Sequence, residues 1–283
     1  MNAWLNYKVH EIFDLNKKYS HTDRYGVEVE FEGKGILNNS NLVGANPSWK
    51  VVADGSLRGE SFEAVMRAPL GYSATIKAVK ELYNLVTSNK AVINDSMRAG
   101  THVHVNCLNL TVQQLMTFMA AYYCLEDILV DYLGDERAGN FFCLRVSDAE
   151  EISHAIASAL ANNRLRNNNI FTNENLRYSA MNLVSLSKFG SLEFRALKTP
   201  TTVEPILEWL EILEKLFTGS FKFNSPLDLV SAMSANGEKE VLSKLLPEEF
   251  ANKVFKRPDF EDKLYSAIRN IQFWVFKTKW NEK

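Results

Sequence analysis

Residues 25–32, Tyr-Gly-Val-Glu-Val-Glu-Phe-Glu, alternate between apolar and acidic side chains, with Val27, Val29 and Phe31 on one side and Glu28, Glu30 and Glu32 on the other. A period of two belongs to a β-strand that turns one face to a core. Residues two apart share a face, so the three carboxylates line up at intervals of roughly 7 Å. Like charges so placed repel, and a hard cation between them reverses that cost. Taken alone, the row reads more simply as the wet face of a half-exposed strand.

Outward from this strand, Gly33-Lys34-Gly35 opens a loop that runs through Asn38, Asn41, Gly44 and Pro47. Trp49 to Val52 forms a second strand ending in the turn pair Asp54-Gly55, and Phe62 to Ala68 a third, stopped by Pro69. Ala74 to Ser88 carries Ile76, Val79, Leu82, Tyr83 and Val86 on one helical face. Thr101 to Asn106 alternates again as a strand. Thr111 with Gln114 forms a capping box for a helix reaching about Leu133, and Asp148 with Glu151 forms another for a helix from Ala149 to Ala161. The asparagine-rich stretch 162–175 is expected as a loop, Arg177 to Leu186 and Gly190 to Leu197 as strands around a turn near Lys188, and everything after Thr202 as helix. Roughly six strands interleaved with helices, followed by a helical tail, make an α+β chain.

The 283 residues suffice for one large domain with a substantial core, and 46% hydrophobic against 23% charged residues excludes general disorder. Thirty-two basic residues nearly balance 34 acidic ones, so nothing demands a nucleic-acid partner. Cys107, Cys124 and Cys143 form neither a disulfide framework nor a zinc motif, which fits a reducing cytoplasm. The N-terminal residues lack a signal-peptide pattern, and the greasiest stretch, Leu115 to Leu125, is too short to span a bilayer.

Three further constellations carry candidate chemistry. His102 and His104 share a strand face, where imidazoles bind metal or phosphate as readily as they satisfy one another. Glu193 and Arg195 share the face opposite Leu192, Phe194 and Ala196; a carboxylate beside a guanidinium suits a metal–phosphate site, though alone it reads as an ion pair. Asp54 and Glu63 sit on either side of a hairpin turn. Each is weak by itself, but strands of one sheet that pool acid, imidazole and guanidinium on a shared polar face make a multi-carboxylate metal site.

In order along the chain, GVEVEFE (26–32), WKVVADGSL (49–57), FEAVMRAPL (62–70), GTHVHVN (100–106), Leu125-Glu126, ERAGNF (136–141), RYSAMN (177–182) and GSLEFRAL (190–197) resemble the amidoligase branch of the glutamine synthetase and glutamate–cysteine ligase superfamily, a branch common in phages. The resemblance covers about Tyr25 to Phe217. It implies a glutamine synthetase-like curved antiparallel sheet with flanking helices, holding ATP and magnesium (Mg2+). Carried over by position, Glu28, Glu30, Glu63, Glu193 and His102 are expected metal ligands, and His104 is expected to face nucleotide phosphates. Arg195 and Arg177 are expected to clamp phosphate or acyl phosphate, and Asp54 and Asn182 to lie near the pocket. The expected organisation is an N-terminal extension (1–24), a ligase domain (25–217) and a helical C-terminal appendage (218–283), the first and last matching no family motif.

The implied activity is ATP-dependent joining of a small-molecule or peptide carboxylate to an amine in the cytoplasm, that of the host if the chain is phage-encoded. Neither membrane nor nucleic acid is expected as a partner, and a homo-oligomer is compatible with the sequence. Two other classes compete. A metallohydrolase built on His102 and His104 needs more histidines downstream, where only His154 follows. A catalytically inactive binding protein of the same fold has no reason to keep four like charges together. The loop 162–175, with Arg164 and Arg166, reads as a solvated segment rather than a nucleic-acid contact.

Overall fold

A computed structural model describes residues 3–16, 19–134, 143–163, 165–166 and 169–280. The motif at 136–141 and Arg164 lie outside the described residues. The opening strand, β1 (Tyr25–Lys34), forms as its alternation dictates: Val27, Val29 and Phe31 are fully buried. It sits near the centre of an open antiparallel sheet with β2 (Trp49–Val52), β3 (Glu60–Met66), β5 (Gly100–Asn106), β6 (Met181–Asn182) and β7 (Ser191–Lys198), in the order β2-β3-β1-β5-β7-β6, while the short β4 (Val92–Ile93) pairs with the end of β1. The fold is α+β.

Helices cover the apolar face of the sheet. Phe31 meets Tyr83 of α3 (Tyr72–Val86) at 5.6 Å between ring centroids, and Phe194 of β7 meets Tyr122 of α4 (Val112–Tyr123) at 4.9 Å and Trp209 of α8 (Glu204–Ser220) at 6.5 Å. The first residues share this core: Trp4, Leu5, and Val9 and Phe13 of α1 (Val9–Phe13) are buried in the same cluster. So do the last helices. In α9 (Phe260–Val275), Phe260, Leu264, Ile271 and Trp274 are buried, and Trp280 packs on Trp274 with centroids 6.5 Å apart. None of the described helices is long and apolar enough to cross a membrane.

Several expectations give way to local chemistry. The polar loop after β1 contains a short helix, α2 (Ser40–Ala45). The long helix from Thr111 starts with the expected capping box, Thr111 and Gln114 bonding reciprocally at 3.1 and 3.0 Å. It breaks, however, at Cys124–Leu125, where the Leu125 N–H turns back to the Tyr122 carbonyl, and α5 (Glu126–Tyr132) begins anew. The break buries the Glu126 carboxylate, which accepts the Val146 N–H at 2.6 Å. Asp148 does not cap α6 (Glu150–Ala161); it is bound by the Arg145 guanidinium at 3.0 and 3.1 Å. The expected loop 162–175 holds a 3-10 turn at Asn169–Phe171, with Ile170 and Phe171 buried and Phe171 packed edge-on to Phe13 at 5.5 Å. The expected strand 177–186 is a 3-10 turn (Glu174–Tyr178), two strand residues, and a helix, α7 (Val184–Phe189). Asn182 ends that strand by accepting the Val184 N–H on its side-chain oxygen at 2.9 Å, which starts the helix instead.

Gly190 then stops α7 and launches β7 with φ at +71°. A Cβ there would lie 2.2 Å from Leu108 Cδ2. Gly190→Ala therefore combines left-handed strain with overpacking and is expected to cost about 2–4 kcal/mol of stability, read as a shift in the urea midpoint. A midpoint within error of wild type would show that the α7–β7 corner tolerates a side chain.

Candidate active site

Cross-strand register decides which polar side chains meet. Glu28 of β1 pairs with His102 of β5, and Glu30 pairs with Glu63 of β3. His104 pairs with Glu193 of β7, which in turn pairs with Asn182 of β6. Opposed residues in an antiparallel pair point to the same face. The acids, imidazoles and amide of four strands and β6 therefore project from the face opposite the helical core. They line one cavity of about 470 Å3, together with Asp54, Arg177 and Arg195. All ten residues singled out in the sequence face this one cavity.

The acidic row on β1 is not a wet face. Glu30 and Glu32 are buried, and Glu28 is half-buried. Glu32 takes no part in the cavity: it accepts the Arg58 N–H and the Ser96 hydroxyl, each at 2.6 Å, and so pins two loops to the strand. Glu30 accepts the Gly100 N–H at 2.6 Å. A side chain at position 100 would place its Cβ 2.9 Å from His102 Nε2, so glycine leaves room for the His102 ring beside Glu30.

At the centre, His102 Nδ1 lies 3.6 Å from both Glu28 Oε2 and Glu193 Oε1, and His104 Nε2 lies 3.5 Å from Glu28 Oε1. Glu193 is the most heavily bound acid: Asn182 donates to it at 2.6 Å, Ser185 at 3.0 Å, and Arg195 at short range. The Arg195 Nη1 also approaches His102 Nδ1 at 3.4 Å, where only the arginine can donate. Arg177 stacks its guanidinium over the Tyr178 ring, 4.7 Å from the centroid, and donates to its hydroxyl at 2.5 Å. Asp54 accepts the Ser56 N–H at 2.7 Å.

A family model described as "putative amidoligase enzyme" matches residues 5–217. The chain belongs to the amidoligase family. The family name points to an enzyme of the ligase kind. No curated protein matches the sequence. The match begins at residue 5, within the N-terminal segment that holds buried Trp4 and Leu5 and well ahead of the GVEVEFE motif at 26–32.

The amidoligase cavity divides electrically. Burial works to raise Glu28 and Glu193, but hydrogen bonds from His102 and His104 hold Glu28 well below the usual carboxylate range, and the charges of His104, Arg195 and His102 lower Glu193 to about 2. Burial lowers His104, and the charge of Glu193 with the hydrogen bond and charge of Glu28 overcomes it and raises the imidazole. The other two acids go the opposite way. Burial raises Glu30, and burial with the charges of Glu28, Glu30 and Asp54 pushes Glu63 up to about 7.

The donor set suits a divalent cation. Ligand atoms of Glu28, His104 and Glu193 lie within 4.8 Å of one another, and the cavity crowds two further carboxylates alongside. Among the described residues, buried Arg195 Nε has no hydrogen-bond partner, and His104 Nε2 has only the long 3.5 Å approach to Glu28 Oε1. His104 completes this group of three, while His102 Nδ1 lies 3.6 Å from one oxygen of each of the same two carboxylates. The sequence reading missed Arg98, Ser185 and Lys188, which also line the cavity. Arg98 stands two residues ahead of the GTHVHVN motif and was within reach of inspection; Ser185 and Lys188 were hidden because α7 read as strand and turn.

In cation-free buffer, Glu63 binds its proton more tightly in the folded chain (about 7) than in the unfolded one (4.5). Stability is therefore expected to fall as pH rises from about 4.5 to about 7. Glu63→Gln should flatten that part of the curve, measured by thermal melts at graded pH. An identical slope in wild type and variant would show that Glu63 is not held protonated.

Proposed function

We propose that this amidoligase joins a carboxylate to an amine at the expense of ATP, with the polar face of the sheet serving as a glutamine synthetase-like cradle. The observation that carries the reading is the convergence of Glu28, Glu30, Glu63 and Glu193, with two histidines and Arg195, in one cavity. Without a counter-charge, such crowding is costly, as the displacement of Glu63 to about 7 records. Glu28, Glu193 and His104 would hold one magnesium ion, Glu30 and Glu63 would contribute to a second, and His102 lies beside both groups. Bound magnesium supplies positive charge to phosphate oxygens.

In the first step, a substrate carboxylate oxygen attacks the γ-phosphorus of ATP, and ADP leaves, giving an acyl phosphate. An amine then attacks the acyl carbon, phosphate departs, and the amide forms with loss of one proton. The chain's own residues position and neutralise. Arg195, oriented by Glu193, meets charge developing on the transferred group. Arg177, Arg98 and Lys188 line the cavity with further cations. Asn182 and Ser185 keep the Glu193 carboxylate oriented, and Gly100 does the same for Glu30. A hydrolase built on the histidine pair loses support, because His154 stacks on Phe273 at 4.4 Å between ring centroids and does not line the cavity.

Magnesium with ATP is expected to raise the melting temperature of the full chain. A screen of carboxylates and amines should show substrate-dependent ADP release. Glu30→Gln keeps the shape and removes the charge; it should lower ADP release at least about 100-fold with the fold intact by circular dichroism. Undiminished turnover in Glu30→Gln, or no response to magnesium and ATP, would refute the reading.

A further inference from the structure

The arginines and lysines that line the cavity differ in how far their charge is already claimed. Arg195 is bound by Glu193, Lys188 pairs with Glu174 at 2.6 Å, and Arg177 stacks on Tyr178. Among the described residues, the Arg98 guanidinium makes no hydrogen bond or ion pair. We propose that Arg98 binds the polyphosphate of the nucleotide, and that Glu32 and Ser96 are the positioning residues that hold it at the cavity. The inference rests on the ligase reading and adds to it one binding residue and the two groups behind it.

The support begins at the buried end of the acidic row. Glu32 Oε2 accepts the Ser96 hydroxyl at 2.6 Å, and Ser96 Oγ in turn accepts the Arg98 N–H at 3.2 Å. The rest of the loop is fastened as closely. The Asn94 N–H bonds to the Glu32 carbonyl at 2.8 Å, Asp95 meets Lys198 at 2.7 Å, and the Ala99 carbonyl accepts the Thr199 N–H at 3.0 Å. From this fixed backbone the exposed Arg98 side chain reaches the cavity. A backbone already in place lowers the ordering cost of binding. The other Glu32 oxygen accepts the Arg58 N–H at 2.6 Å, and the Arg58 guanidinium gathers the carbonyls of Gly55, Ser56 and Leu57 at 3.0, 3.2 and 2.8 Å. One carboxylate thus spans the two loops that bring Asp54, Ser56 and Arg98 to the cavity.

Position selects the ligand. Gly100, two residues beyond Arg98, donates its N–H to Glu30, and Glu30 pairs with Glu63. The loop therefore enters where the second magnesium ion would sit. Ions in such sites bridge the outer phosphates of a nucleotide, and a guanidinium alongside meets phosphate oxygens with its planar fork.

The test is calorimetric binding of ATP and of inorganic tripolyphosphate to the full chain in magnesium, with no carboxylate or amine substrate present. Arg98→Met should weaken both probes about tenfold. Ser96→Ala cuts the link to Arg98, leaves the Arg58 arm in place, and should weaken both about threefold. Glu32→Gln, whose amide can accept from Arg58 and donate to Ser96, should stay within about twofold of wild type, while Glu32→Ala should lose as much as Arg98→Met. Ser96→Ala keeps the test open if Glu32→Ala fails to fold. Once Arg98 is methionine, Ser96→Ala should cost nothing more, because it acts through the guanidinium; a merely structural role would add its loss. Unchanged affinity in Arg98→Met or Ser96→Ala, or additive losses in the double variant, would overturn the inference and spare the ligase reading. Tripolyphosphate bound through Arg98 by a chain that does not bind ATP would do the reverse, and a wild type that binds neither probe would sink both.

Discussion

Everything around this sheet answers one constraint: four glutamates from three strands occupy a partly enclosed face, and carboxylates so placed repel. The structure meets the cost in two ways. Near the histidines, Glu28 and Glu193 stay charged because imidazole and guanidinium donors face them. At the other two, burial wins: it pushes Glu30 toward its protonated form against the charges of His102 and Arg195, and burial with neighbouring acids pushes Glu63 the same way. The first pair is neutralised from within the protein, and the second waits for a proton or a cation. A merely structural ion-pair network would have partnered all four.

The supports of the cluster are as instructive as its members. Glu32, in the same row, is satisfied by Arg58 and Ser96 and serves as a bracket. Tyr25 and Arg24, at the start of the same strand, both bind Glu214 of α8, the hydroxyl at 2.6 Å, which ties the polar strand to the helical layer. On the far side, Asp131 of α5 takes Arg257 at 2.9 Å and also binds Lys263 of α9, so this helix is fastened to the helix behind the sheet.

Legibility in the sequence followed the strength of local periodicity. β1, β5 and β7 could be read because apolar residues alternate with acids or imidazoles, and α3 because its apolar face repeats at helical spacing. The stretch 177–189 could not. Met181, Leu183 and Ser185 mimic a strand's alternation, and the chain leaves the strand at an Asx-type turn in which the Asn182 side chain accepts the Val184 N–H just ahead of α7. The N-terminal segment read as a short polar-faced extension or helix, and it does hold α1, but its apolar residues, Trp4, Leu5, Val9 and Phe13, are few and irregularly spaced; their burial is a tertiary fact. Glu28, Glu30, His102, His104, Glu193 and Arg195 were legible as types on strand faces, Asp54 and Glu63 as a hairpin pair, and Arg177 and Asn182 only through the family resemblance. Which of them meet is a matter of register, and register between strands far apart in sequence leaves no local trace.

One irregularity shows how much hangs on that register. Thr101 pairs with Leu197, but Val103 pairs with Phe194, so between them the single residue His102 faces both Arg195 and Ala196. This is a β-bulge, and it resets the alternation of β7. With strict period two, Leu197 would follow Glu193 and Arg195 onto the polar face and put an apolar side chain beside the carboxylates. The extra residue returns it to the core, where Ala196 and Leu197 are buried in succession. The same offset leaves Arg195 next to His102 while its N–H still bonds to the Ala180 carbonyl at 2.9 Å on the other side of the strand. The Ala-Leu pair that breaks the pattern in GSLEFRAL is thus the local sign of the bulge that brings the guanidinium to the site.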